Sequence, residues 1–205
     1  MSPSARPLTY VAIGASDSVG EGSSDPPTKS WPALLATRFP AGTSYRNLGV
    51  SGSTVAEAIV QQLPQALRAD PDVVSVWLAF NDLAQQVDPA AYRRDLERLL
   101  DALLARPRAK IFVANLPDLR GVPATPVDDP QALAAAVAAY DGIIADVVRA
   151  RAARTVLVDL YEGSADVIAH EVVVAPDGLH PNDRGYQLIA ERFAEVMRRE
   201  GVPIR

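Results

Sequence analysis

Short apolar, β-branched runs recur along the chain at residues 8–13, 45–48, 73–79, 111–114 and 155–160, each about the length of one strand. Between them lie longer stretches whose apolar positions return at helical spacing: 31–39, 55–68, 89–104, 131–151 and 184–199. In 89–104, Leu96, Leu99, Leu100, Leu103 and Leu104 share one face, and the stretch from Val55 opens on the capping box Thr54 to Glu57. This alternation predicts βαβ units with right-handed crossovers, hence a parallel sheet covered by helices on both faces. The run Val73-Val74-Ser75-Val76-Trp77-Leu78 agrees, because a strand buried on both sides has no polar face to show. In such sheets ligands sit beyond the carboxyl ends of the strands, so the segments after each run are the ones to search for chemistry. The irregular stretch 116–130, rich in Pro and Gly, is a candidate binding loop.

Composition narrows the function classes. The 205 residues suit one domain spanning 1–205, which would bury roughly 70 percent of the surface its unfolded chain exposes. A net charge of -5 and no run of Lys or Arg argue against nucleic acid or an anionic membrane as partner and favour a small molecule. With no cysteine there is no disulfide framework, thiolate zinc site or cysteine nucleophile. The start, Met1-Ser2-Pro3-Ser4-Ala5-Arg6-Pro7, runs into 8–13 too soon for a signal peptide or a membrane span, so a cytoplasmic protein is expected. The oligomeric state is left open.

The turn after the first run reads Gly14-Ala15-Ser16-Asp17-Ser18-Val19-Gly20 and would lift the Ser16 hydroxyl to the carboxyl rim of the sheet. It lacks the Gly-Lys-Ser/Thr ending of a P-loop, and Gly20-Glu21-Gly22 has no third glycine for a dinucleotide fingerprint. It also departs from the G-x-S-x-G elbow, since Ser18 holds the final glycine position. On this stretch alone, a nucleophile and a structural turn both stay open.

Near the other end, Pro176-Asp177-Gly178-Leu179-His180-Pro181-Asn182 sets a carboxylate three residues before a histidine. With Gly178 allowing a sharp reversal, Asp177 can meet one imidazole nitrogen and leave the other free. Serine needs such a pair, because its hydroxyl is barely nucleophilic until an imidazole takes the proton. The plainer alternative is a helix-entry turn, with Asp177 capping locally and His180 exposed. Acyl transfer also demands donors aimed at a developing oxyanion. Gly52, within Asn47-Leu48-Gly49-Val50-Ser51-Gly52-Ser53-Thr54, can offer an unobstructed backbone N–H, and Asn81, within Ala79-Phe80-Asn81-Asp82, a side-chain amide. Each is equally readable as an ordinary turn residue.

Four polar motifs thus fall in the four places where this architecture gathers a site, and together they resemble the SGNH hydrolases, also called the GDSL esterase/lipase family. Gly14 to Ser18 matches the nucleophile block, Asn47 to Gly52 the glycine block, Ala79 to Asp82 the asparagine block and Asp177 to Pro181 the Asp-His block; Asn115-Leu116-Pro117 extends the likeness. The resemblance implies a flavodoxin-like α/β/α sandwich with a five-stranded parallel sheet. It implies catalysis by Ser16, Asp177 and His180, with the Ser16 N–H, the Gly52 N–H and the Asn81 amide as oxyanion donors, and no cofactor. Two departures stand out: Ala15 holds the place before the serine where members often carry Asp, and Ala79 stands where the asparagine block has glycine, its methyl expected to crowd the floor of the site.

His170 with Glu171 falls far short of a metal shell, so no metal is expected. Asp17 and Asp82 read as capping and loop residues, Trp31 and Trp77 as core, and Phe80 as a candidate pocket wall. With no long insertion to form a lid, the expected substrate is a water-soluble ester of short-to-medium acyl chain. Thioesters, O-acetylated sugars, an alcohol acceptor in place of water, and a silent acyl-ligand-binding module are the alternatives.

Overall fold

The five apolar runs form one sheet. In the computed structural model, which describes residues 7–125 and 127–205, β1 (Thr9–Gly14), β2 (Ser44–Asn47), β3 (Val73–Trp77), β4 (Lys110–Ala114) and β5 (Thr155–Val158) are all parallel, in the order β2-β1-β3-β4-β5. The N-terminal stretch 1–6 and Pro126 of the 116–130 loop lie outside the described residues. Register sets Gly14 beside Trp77 and Ile111 beside Thr155. The order reverses between β1 and β3, and that switch point opens a crevice at the carboxyl ends of the strands. Every residue of β1 and β3 is buried, which accounts for their nearly unbroken apolar sequences, whereas the edge strand β2 exposes Ser44, Arg46 and Asn47.

Alternate strand residues feed two cores. Val11, Ile13, Val74, Val76, Ile111 and Val113 pack with α4 (Val55–Gln61), α5 (Leu63–Ala69), α7 (Pro89–Leu104) and α8 (Pro130–Arg149). Tyr10, Ala12, Phe112 and Val158 pack on the opposite face with α3 (Trp31–Ala36) and α10 (Asp183–Arg199), where Trp31 stacks on Phe193 with ring centroids 4.4 Å apart. The long helices begin as their sequences dictate. Asp88, Asp129 and Asn182 each accept from N–H groups of the first turn, and Pro89 and Pro130 occupy positions whose N–H has no helical acceptor. By length and composition α8, with a mean hydropathy of 1.4, could cross a membrane. Its Leu133, Val137, Ile144 and Val147 are buried in the core instead.

Some boundaries differ from the pattern. The helix expected over 55–68 is broken at Gln62, because Pro64 in the first turn of α5 has no N–H to continue the ladder. The helix expected over 31–39 ends at Ala36, and the runs 73–79 and 155–160 leave the sheet at Trp77 and Val158 to build its rim. Four short helices, α1 (Ser16–Val19), α2 (Pro26–Lys29), α6 (Phe80–Ala84) and α9 (Ser164–His170), are too brief to show a helical period.

Candidate active site

Ser16 opens α1 immediately beyond β1, and the N–H groups of Ser18 and Val19 close back on the Ala15 carbonyl at 3.0 and 3.1 Å. Only glycine fits at position 14, since a Cβ there would lie 1.9 Å from Ser18 Oγ. The Asp-His block forms a small hairpin: Val174 bridges to Pro181, and the Ala175 N–H donates to the His180 carbonyl at 2.8 Å. Gly178, at φ 77°, makes the reversal. Asp177 Oδ1 accepts the N–H groups of Leu179 and His180 at 2.9 and 3.0 Å, while Oδ2 lies 2.7 Å from His180 Nδ1. The Leu179 N–H, with His180 behind it, holds the Asp177 carboxyl below the usual carboxylate range. His180 Nε2 lies 2.9 Å from Ser16 Oγ. With Nδ1–H committed to Asp177, Nε2 is left to accept the serine proton.

The three expected donors stand at the ends of neighbouring strands. Ser16 has its N–H in the first turn of a helix, and Gly52 adopts φ 78° in an exposed turn; among the described residues neither N–H is given to a protein acceptor. Asn81, in α6, spends one amide hydrogen on the Ser53 carbonyl at 3.1 Å and keeps its second free. Next to it the buried Asp82 accepts the Val55 N–H at 3.1 Å, so the asparagine block and the glycine block are tied at two successive residues.

Two side chains position this turn, Gln62, which had no signal of its own in the sequence, and Asn47, the first residue of the glycine block. Gln62, fully buried, donates to the Gly14 carbonyl at 2.9 Å, beside the Val50 N–H that reaches the same oxygen at 3.2 Å, and accepts the Gly14 N–H at 3.0 Å. Asn47 donates to the Ser18 carbonyl at 2.5 Å and accepts the Gly49 N–H at 3.0 Å, coupling β2 to α1. Two carboxylates also crowd the imidazole. Glu21 Oε2 lies 3.5 Å from His180 Nε2. Asp17 is half-buried, and burial, reinforced by the Glu21 charge and opposed by His180, pushes its carboxyl up to about 6. Glu21 also accepts the Ser51 hydroxyl, and Asp17 accepts its own backbone N–H, the local hydrogen bonding that its place in the sequence suggested.

From Ser16 and His180 a cleft of about 540 Å³ runs between the 116–122 segment, α9 and the start of α10, walled by Phe80, Leu116, Leu119, Ile168, Leu179 and Leu188. The 116–130 stretch supplies part of the wall, as its position promised, and Trp77, read as core, lines the cleft as well. Asn115 braces this end of the sheet: its carbonyl accepts Trp77 Nε1, its Oδ1 accepts the Leu160 N–H and its amide donates to Asp159. His170 stands apart in α9, with Nδ1 2.9 Å from the Asp166 carbonyl. Among the described residues no group of three or more His, Asp or Glu side chains could hold a metal ion.

The profile of the GDSL-like lipase/acylhydrolase family matches residues 12–188, a span that runs from β1 through the Asp-His block into α10. The chain belongs to this family. It is therefore a hydrolase of the GDSL esterase-lipase group. Comparison with curated proteins finds no match. Among solved structures, TesA superposes with a TM-score of 0.74 at 24% identity, covering 94% of this chain and 99% of that one. A family 3 carbohydrate esterase of Clostridium thermocellum gives 0.69 at 20%, covering 95% and 97%. A catalytic mutant of Axe2, an acetylxylan esterase from Geobacillus stearothermophilus, gives 0.72 at 21%, covering 95% and 94%. These likenesses establish the shared fold.

Within the GDSL-like family the two departures acquire physical meaning. Ala15 is buried in the core and leaves the serine turn intact. Ala79 sits at φ 140°, ψ -34°, a conformation that L side chains rarely adopt and glycine adopts freely. Its methyl is buried in the core and lines no part of the cleft, so the expected crowding of the site floor is absent; the cost of the alanine is carried by the backbone.

Proposed function

We propose that the chain is a serine esterase that hydrolyses carboxylic esters of short-to-medium acyl chain through an acyl-enzyme on Ser16. The observation that carries this reading is the continuous hydrogen-bonded line from Asp177 through His180 to Ser16, 2.7 and 2.9 Å, ending at the mouth of an apolar cleft. Ser16 Oγ attacks the ester carbonyl while His180 Nε2 takes its proton, and Asp177 holds the imidazole in the required tautomer and balances the imidazolium. The carbonyl oxygen, now an oxyanion, is met by the Ser16 and Gly52 N–H groups and the free hydrogen of Asn81. Collapse breaks the ester C–O bond, and His180 returns the proton to the leaving alcohol. Water, deprotonated by the same nitrogen, then cleaves the acyl-enzyme and restores Ser16.

The cleft lies within the size range of small-molecule pockets, and its apolar walls suit an alkyl chain better than a sugar. Two structural neighbours are named as carbohydrate esterases, but an acetyl group would leave most of this cleft empty. The test is a panel of p-nitrophenyl esters and thioesters from acetyl to decanoyl, read beside Ser16→Ala, with mass mapping of an organophosphonate adduct. Turnover that peaks at butyryl to octanoyl, vanishes in Ser16→Ala and maps the adduct to Ser16 is the expected result. An adduct elsewhere, or activity that persists without Ser16, removes the reading.

A further inference from the structure

Glu21 has no part in the acyl-transfer scheme, yet the fold fixes it beside the imidazole. Its backbone is clamped between Gly20 at φ 98° and Gly22 at φ 86°, and the Tyr186 hydroxyl donates to its carbonyl at 2.5 Å. Gly22 is pressed so closely on the Asp-His hairpin that a Cβ would meet His180 Cβ at 2.8 Å and the Pro181 carbonyl oxygen at 2.7 Å. One carboxylate oxygen accepts the Ser51 hydroxyl from the glycine block; the other stands 3.5 Å from His180 Nε2. Asp17 lines the cleft where the acyl chain would lie, but Glu21 does not, and its side chain is 44% exposed.

With the acyl chain in the cleft, the leaving group points out of it and must still reach His180 Nε2. The departing oxygen takes its proton from Nε2, which requires an approach of about 3 Å, so it comes within about 6.5 Å of the Glu21 carboxylate. We propose that Glu21 selects the leaving group, favouring esters of neutral or cationic alcohols and turning away acyl donors whose leaving group is anionic, such as a coenzyme A thioester or a phosphorylated alcohol. This rests on the esterase reading above and adds the charge class of the substrate. A charge placed on the leaving group some 6 to 8 Å from a half-exposed carboxylate changes the rate constant by about fivefold to tenfold at moderate salt. Pairing a repelled class with an attracted one is how a site built around one charge discriminates.

The experiment uses three butyrate esters of matched shape: butyrylcholine (cationic), 3,3-dimethylbutyl butyrate (neutral) and 2-sulfoethyl butyrate (anionic). Values of kcat/KM are measured for the wild type, for Glu21→Gln, and for Glu200→Gln, which removes an equal charge beside Lys110 at the opposite end of the sheet. The wild type should rank cation over neutral over anion. Glu21→Gln should compress the cation-to-anion ratio at least tenfold, Glu200→Gln should leave the ratio in place, and added salt should compress it in the wild type. A ratio unmoved by Glu21→Gln, or moved equally by Glu200→Gln, overturns the assignment to Glu21 while Ser16-dependent turnover leaves the esterase standing. Absence of Ser16-dependent turnover of all three esters and of p-nitrophenyl butyrate removes the esterase reading and this inference together.

Discussion

Gln62 closes its side-chain amide on both backbone polar groups of Gly14, two residues before the candidate nucleophile. β2 pairs with β1 only as far as Asn47 opposite Ala12; beyond it the Gly14 carbonyl accepts the Val50 N–H at 3.2 Å as well as Gln62, whereas the Gly14 N–H is given to Gln62. Gln62→Leu keeps the bulk and removes both hydrogen bonds, leaving the buried Gly14 N–H without its acceptor while the Gly14 carbonyl keeps the Val50 N–H. Stability should fall by about 1 to 3 kcal/mol in urea unfolding. A nucleophile displaced by a fraction of an ångström should also lose about tenfold to a hundredfold in kcat, with KM little changed. Ser16 labelling by phosphonate should slow in proportion, at temperatures where circular dichroism shows the fold intact. Lost stability with unchanged labelling would make Gln62 a core residue and nothing more.

Asn81 should act on the transition state. Its free amide hydrogen is available to an oxygen that becomes fully charged only during attack, so Asn81→Ala should lower kcat by about 100- to 1,000-fold and leave KM nearly constant. Residual catalysis should survive on the Ser16 and Gly52 N–H groups. Asp82→Ala is the neighbouring control: it strips the Val55 N–H of its acceptor and should show chiefly as a lower Tm. Equal losses of kcat and equal losses of Tm in the two variants would mean that this turn supports the fold and supplies no oxyanion donor.

Much of this arrangement was legible in the sequence because it is local. Asp177 and His180 lie within one turn of chain, so spacing alone was enough to pair them. The central strands announced themselves because burial on both faces leaves few polar positions. The partnership of Ser16 with His180 spans 164 residues, and only the placement of four motifs at four strand ends suggested it. Gln62 and Glu21 stayed hidden for the same reason. Gln62 reads as a polar residue within a helical stretch, and its meaning comes from Gly14, 48 residues away, and from a helix break that Pro64 imposes. Glu21 reads as a loop charge until the hairpin carrying His180 folds against Gly22.

Ala79 offers a test of backbone strain. At φ 140° its backbone is costly for any residue with a Cβ, by about 1 to 3 kcal/mol, whereas its buried methyl returns about 0.8 kcal/mol. Ala79→Gly should therefore leave Tm unchanged or raise it. Ala58→Gly, which deletes an equally buried methyl inside α4, should cost about 1 to 2 kcal/mol, because there the helix gains nothing from glycine. Parallel losses of Tm in the two variants would mean that the strain at Ala79 is relieved by its surroundings.

Asp82 should make stability depend on pH in a direction opposite to most carboxylates. It is 1% exposed, and burial pushes its carboxyl up to about 6, with the Val55 N–H pulling the other way and the charges of Asp95 and Glu57 adding to the rise. The folded protein thus holds this proton more tightly than the unfolded chain, whose aspartates titrate near 3.9. Its stabilising contribution is complete below about pH 4 and is lost as pH rises through about 6, a swing of about 3 kcal/mol. Asn at this position keeps an oxygen for the Val55 N–H and has no proton to lose. Burial also raises Asp17 and Asp141, to about 6 and about 7, but both remain in wild type and variant and cancel in the comparison. The stability of Asp82→Asn relative to wild type, measured by urea unfolding at pH 4.5, 6 and 7.5, should therefore climb by about 2 kcal/mol between the first and last, the rest of the swing lying below pH 4.5. A difference that stays flat across this range would show that Asp82 is ionised in the fold throughout, its charge held by the Val55 N–H against the cost of burial.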